Sequence, residues 1–119
     1  MHNFRELKVW RMGIEVSKLI FKVTRNFPPE ERYGLTSQLN RSAVSIPSNI
    51  AEGCGRKSAK EFGHFLSISL GSAFELETQT ILAYEFNYIN INVFEELTIK
   101  IKETQKMINA LHRTITTNY

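Results

Sequence analysis

Three interruptions divide this 119-residue chain, and between them they leave room for little except long helices. Pro28 and Pro29 close a first segment, Gly53 and Gly55 close a second, and "NYININ" from Asn87 separates a third from a fourth. Proline removes a backbone donor and glycine gives up the most conformational freedom in a helix, so such clusters end helical periodicity. The segments they bound run roughly 20 to 30 residues, too long for strands. Ser58 with Glu61 three residues on reads as a capping box, and Asn92 with Glu95 as a looser, Asn-led version. The spacing predicts helices over about 5–26, 34–54, 59–86 and 93–116. Short connections between long helices make neighbours antiparallel, so the expected architecture is an all-α, up-down four-helix bundle occupying 1–119 as one domain.

The predicted helices differ in their faces. In the fourth, Phe94, Leu97, Ile101, Thr104, Ile108, Leu111 and Ile115 form one narrow seam. The first is wider: Val9, Gly13, Val16, Ile20, Val23 and Phe27 make one stripe, and Leu7, Trp10, Ile14 and Phe21 a second about 120° away by helical rotation. Either this is a broad buried face in a tightly packed monomer, or the second stripe meets another subunit, as aromatic residues at interface cores often do.

The remaining face of the first helix carries Lys8, Arg11, Glu15, Lys18, Lys22 and Arg25, a ridge on the order of 25 Å long at the rise of an α-helix. Residues 1–60 hold eleven Lys/Arg against five Glu, a net of +6, whereas residues 61–119 net −3. Such polarity presents a basic surface suited to a phosphate backbone, and the plainer reading is an ordinary solvated helix face.

The second helix is built from small residues: Ser37, Ser42, Ala43, Ser45, Ser48, Ala51 and Gly53 allow close backbone approach, while Leu35, Leu39, Ile46 and Ile50 supply a core seam. Pro47 withholds the amide that would bond the Ala43 carbonyl, so a bend or break is expected near 43–46, with water or a nearby hydroxyl, of which the sequence offers Ser42, Ser45 and Ser48 within a turn, as the replacement donor. Across the helix, Gln38, Arg41, Ser45, Asn49, Glu52 and Arg56 share a face rich in directed hydrogen-bonding groups and free of lysine. Two readings stand: a structural network joining helices or subunits, or a polar pocket for a ligand such as RNA.

Catalytic constellations are thin. All twelve acidic residues are glutamate, which suits helices and removes a residue type that many metal and triad sites use. Glu61 and His64 have the i, i+3 spacing of di-iron bundles, but only one such motif is present and it lies off the apolar face. Cys54 has no partner cysteine and sits at a helix C-terminus, whose dipole disfavours a thiolate. Gly53-x-Gly55 is too short for a phosphate loop. A non-enzymatic protein with no metal and no cofactor is expected. "MHNFRELKVW" lacks an apolar signal core and no stretch approaches 18 uninterrupted apolar residues, so a cytoplasmic chain without a membrane partner is expected.

The stretch "FPPEERYGLTSQLNRSAVSIPSNIAEGCGRKSAKEF", followed by "LSISLGSAFELETQ", closely resembles the signature of the 23S rRNA intervening-sequence (S23) proteins. Phe27-Pro28, Glu31, Tyr33-Gly34-Leu35, Gln38-Leu39, Arg41, Ser45-Ile46-Pro47, Asn49 to Gly53, Arg56, Phe62, Gly71-Ser72 and Glu75-Leu76-Glu77 stand in the family's order, and Leu7, Val9 and Trp10 fit its opening. The resemblance implies a four-helix bundle assembled as a ring-like homopentamer. Relatives include a retroelement accessory protein that binds nucleic acid through a basic surface. On this basis the expected role is RNA or nucleoprotein binding, with Lys8, Arg11, Lys18, Lys22 and Arg25, joined by Arg56, Lys57 and Lys60, holding phosphates. The alternative is a protein–protein adaptor or assembly scaffold that uses the face from Gln38 to Arg56 and binds no nucleic acid.

Overall fold

The computed structural model describes residues 3–117 and contains four long helices: α1 (Lys8–Thr24), α2 (Leu35–Cys54), α3 (Ala59–Glu85) and α4 (Ile91–Thr117). Consecutive helices pack, α4 closes against α1, and the backbones of the diagonal pairs stand further apart, giving an antiparallel bundle with extents of 47 × 24 × 20 Å. The core is the set of stripes the 3,4 spacing picks out: Val9, Val16 and Ile20; Leu39, Ile46 and Ile50; Leu66, Ala73 and Leu76; Leu97, Ile101 and Ile108 are all buried. Each such valine, leucine or isoleucine contributes about 1.5–3 kcal/mol by leaving water.

Helix boundaries follow local capping chemistry, and two depart from expectation. The first helix begins at Lys8, because Asn3 Oδ1 accepts from the Arg5 amide and caps a separate 3-10 turn at Phe4–Glu6, after which Leu7 is extended. At α4 the cap is Asn90, whose Oδ1 accepts from the Val93 amide at 2.9 Å; Asn92, the expected cap, lies inside the helix. The reason is the preceding turn. Asn87 adopts φ 63°, the Asn87 amide donates to the Tyr84 carbonyl and the Tyr88 amide to the Ala83 carbonyl, a Schellman closure that ends α3 early and leaves Asn90 in position. Ser58 Oγ accepts from the Glu61 amide as the capping box predicts.

Pro47 does not break α2, which runs unbroken through it. The carbonyl freed at Ala43 takes its donor from the neighbouring helix: Ser17 Oγ donates to Ala43 O at 3.1 Å and to Gly13 O at 2.8 Å. None of Ser42, Ser45 or Ser48 fills that role. Gly13 packs against the proline ring, where an added Cβ would lie 3.1 Å from Pro47 Cβ and Cδ.

The "FPPEERYGL" stretch explains itself structurally. Glu31 Oε1 accepts from the Leu35 amide at 3.0 Å, capping α2, and Oε2 accepts from the Tyr88 hydroxyl at 2.7 Å, tying the α1–α2 turn to the α3–α4 turn. The hydrogen bonds from Tyr88 and from Leu35 hold the Glu31 carboxyl below its usual 4.5, and the same contact raises Tyr88 above 10.0. A lowered acid pKa in the folded state stabilises above the unfolded value and loses that contribution as pH falls through the folded one. For Tyr88 the raised value stabilises below 10.0, and the contribution fades as pH rises through the folded pKa. Glu31→Gln is therefore expected to flatten the acid limb of the stability profile below pH 4.5 and leave the difference from the parent largest near neutrality, as denaturant titrations across pH would record.

Candidate nucleic-acid interface and polar groove

The up-down connectivity brings the start of α1, the α2–α3 turn and the end of α4 to one end of the bundle: Gly53 faces Phe62 and Phe65, and Gly63 faces His112 and Thr116. Lys8, Arg11, Arg56, Lys57 and Lys60 are all exposed there. Arg5 joins them, a cation the sequence reading passed over; Arg11 Nη1 donates to its carbonyl at 3.2 Å. The other end carries Glu30, Glu31, Glu85, Glu95 and Glu96 with Arg25 and Arg32 among them, so acidic side chains outnumber basic ones there.

The rest of the α1 ridge runs away from this basic end. Lys18, Lys22 and Arg25 are exposed with Glu15 among them, and Arg25 lies 5.7 Å over the Phe21 ring. Among the described residues the one ion pair is Arg56 with Glu52, at 2.7 Å between the α2–α3 turn and the last turn of α2. Arg56 also stacks on Phe65 at 4.7 Å, which leaves it the most constrained of the candidate phosphate ligands. The others have no acidic partner, so their charge is available to an external anion.

The second apolar stripe of α1 is covered only in part. Leu7, Trp10 and Ile14 are half-buried, with Trp10 edge-on to Phe4 at 5.2 Å, and Phe21 is 60% exposed. Trp10 and Ile14 line a shallow groove with Val44, Pro47 and Ala51 of α2. A matching excess lies elsewhere: Ile68, Phe74 and Ile81 on α3 and Ile99 on α4 are exposed. The signal for it was present, since Ile68, Phe74 and Ile81 fall outside the buried stripe of Leu66, Ala73, Leu76 and Ala83.

The polar face of α2 turns toward α3 and forms one wall of a groove. Ser45 Oγ meets Ser72 Oγ at 2.8 Å, and Asn49 Nδ2 donates to Ser45 Oγ and to the Ser45 carbonyl, so these three make a structural network. Beyond it the groove is lined by Gln38 and Arg41 from α2 and by Glu75 and Gln79 from α3. Glu52 lies outside it, engaged by Arg56. The sequence reading placed only one wall. Ser72, Glu75 and Gln79 have the same 3,4 spacing as Gln38, Arg41 and Ser45, which an antiparallel pairing of the two helices would have matched.

Among the described residues no group of His, Cys and Glu stands where it would hold a metal ion. His64 is exposed and edge-on to Phe65, and Glu61 stands in the first turn of α3. Cys54 is buried, and burial raises its thiol pKa. No described helix is long and apolar enough to cross a membrane.

The profile of the 23S rRNA-intervening sequence proteins matches residues 5–110 of this bundle. The chain belongs to that family. Its members include structural relatives of this fold: a crystal structure of a protein with unknown function from the S23 ribosomal protein family of Bacteroides thetaiotaomicron superposes with a TM-score of 0.80 at 25% identity, covering 88% of this chain and 98% of that one. No curated protein matches the chain. The S23 signature residues divide by role in this structure: Glu31, Gly53 and Pro47 shape the fold, while Gln38, Arg41 and Glu75 are exposed and not engaged with one another.

Proposed function

We propose that this protein is a non-enzymatic, cytoplasmic RNA-binding protein that assembles with copies of itself, in the ring-like pentamer the family resemblance implies. The observation that carries the reading is the pairing of exposed, unpartnered cations with apolar surface that one protomer leaves open. Assembly through the Trp10–Ile14–Val44 groove and the exposed ridge of α3 repeats the α1 cations around an axis. Repetition multiplies phosphate contacts, each of which releases counterions and steepens the dependence of affinity on salt. Phosphate contacts position without reading sequence, so this surface holds structured RNA with little base preference. A buried, unpaired thiol fits a reducing compartment.

Binding to a structured RNA, titrated with salt, tests the reading. Affinity is expected to fall steeply as salt rises, and charge reversal at Lys18 and Lys22 together is expected to weaken binding at least tenfold at low salt and to lower the salt slope by about 1 or more per residue. Absence of binding at low salt, or a solution mass of one protomer across the working concentrations, overturns it and leaves a protein–protein adaptor in its place.

A further inference from the structure

The groove between α2 and α3 holds polar groups that the fold does not use. The Ser45–Ser72 contact fixes the antiparallel register of the two helices. One turn toward the start of α2, Arg41 therefore stands across from Glu75, and one turn further Gln38 stands across from Gln79, all four lining the same open space of about 530 Å³. Arg41 and Glu75 form no ion pair. The carboxamide oxygen of Gln79 is buried and has no donor, alone in this among the buried side-chain polar atoms of the described residues. That oxygen is closed off from the groove, so the exposed polar groups there are Gln38, Arg41 and Glu75. The comparable seam between α3 and α4 is closed, with Gln105 Nε2 donating to Glu77 Oε1 at 2.8 Å.

The two walls carry different chemistry. The α3 wall offers the two carboxylate oxygens of Glu75; the α2 wall offers the donor fork of Arg41. A ligand that satisfies both needs several adjacent donors on one edge and adjacent acceptors on another. Among nucleobases guanine meets this: its N1–H and N2 amino group supply three hydrogens, and O6 with N7 form the pair that an arginine fork grips. Adenine and cytosine would turn a ring-nitrogen acceptor toward the carboxylate, and uracil has a single donor between two carbonyls. Unpaired bases in RNA are recognised on just these edges.

We infer that the α2–α3 groove is a pocket for an unpaired guanine, held by Glu75 on one side and Arg41 on the other. It rests on the RNA-binding reading and adds base selectivity to it. Glu75 stands on α3, the helix diagonal to the α1 ridge, so the two can be altered separately.

The test compares a uridine hexanucleotide with the same strand carrying one central guanosine or one central inosine, which lacks only the N2 amino group. Guanosine is expected to bind about tenfold tighter than uridine or inosine, and Glu75→Gln to abolish that difference. Equal affinity for the three strands, or a preference untouched by Glu75→Gln, overturns the pocket while salt-sensitive binding keeps the phosphate reading intact. Should no strand bind at low salt, the phosphate reading fails, and saturation-transfer NMR with free guanosine against inosine decides the pocket: transfer to guanosine alone supports it, and no transfer overturns it.

Discussion

Replacing Gly53 by alanine is expected to destabilise the bundle by about 2 kcal/mol, although alanine is the better helix former by about 1 kcal/mol. A Cβ at Gly53 would lie 2.9 Å from Phe62 Cδ1 and 2.9 Å from Phe65 Cβ, with the Phe62 carbonyl at 3.3 Å. The Phe65 Cβ is fixed to the α3 backbone, so relief requires the two helices to separate where small residues let them approach. Gly71 supplies the opposite case. It is exposed on α3, with nothing within 4 Å of an added Cβ, and Gly71→Ala is expected to stabilise by about 0.5–1 kcal/mol through helix propensity. Denaturant unfolding of the two variants checks the pair; the same sign for both would show that the α2–α3 approach is looser than described.

Ile46→Ala is expected to cost about 3–4 kcal/mol, enough to remove a large part of the stability of a chain this size. Ile46 is 0% exposed, and its carbonyl accepts from the buried Ser69 hydroxyl at 2.9 Å, so the surrounding helices are pinned and cannot collapse into the void. Two residues earlier on the same helix, Val44 is 53% exposed. Val44→Ala is expected to change the stability of an isolated protomer by no more than about 0.5 kcal/mol. Its effect should appear in assembly instead, as a shift in the concentration at which copies dissociate, measured by sedimentation. A Val44→Ala variant with unchanged self-association would remove the α1–α2 groove from the proposed contact.

Helix number, order and core faces were legible in the sequence because their signals are local. Breakers such as Pro28-Pro29 and Gly53-x-Gly55 act on their own neighbours, and a 3,4 repeat such as Leu97, Ile101, Thr104 and Ile108 reports its own buried side. What the sequence concealed depends on partners far along the chain. The donor for the Ala43 carbonyl comes from Ser17, 26 positions away, and no local pattern favours it over Ser42, Ser45 or Ser48. The choice between Asn90 and Asn92 turned on the Schellman closure at Asn87, since both offer the same capping oxygen. The candidate site was half visible. Gln38, Arg41 and Ser45 announced themselves as a polar face, but their opposite wall, Ser72, Glu75 and Gln79, becomes apparent only once α3 is laid beside α2 in register. Arg5 escaped notice because a continuous first helix would have placed it elsewhere than the 3-10 turn does.

The contact of Gly13 with the Pro47 ring and the reach of Ser17 to the Ala43 carbonyl have a consequence for recognition. They clamp α1 and α2 so that neither can slide along the other, and the surface the two helices share is shaped before anything meets it. A rigid paired blade sacrifices little freedom on docking, so more of the contact energy survives as affinity, and mutual fit decides which partners are accepted.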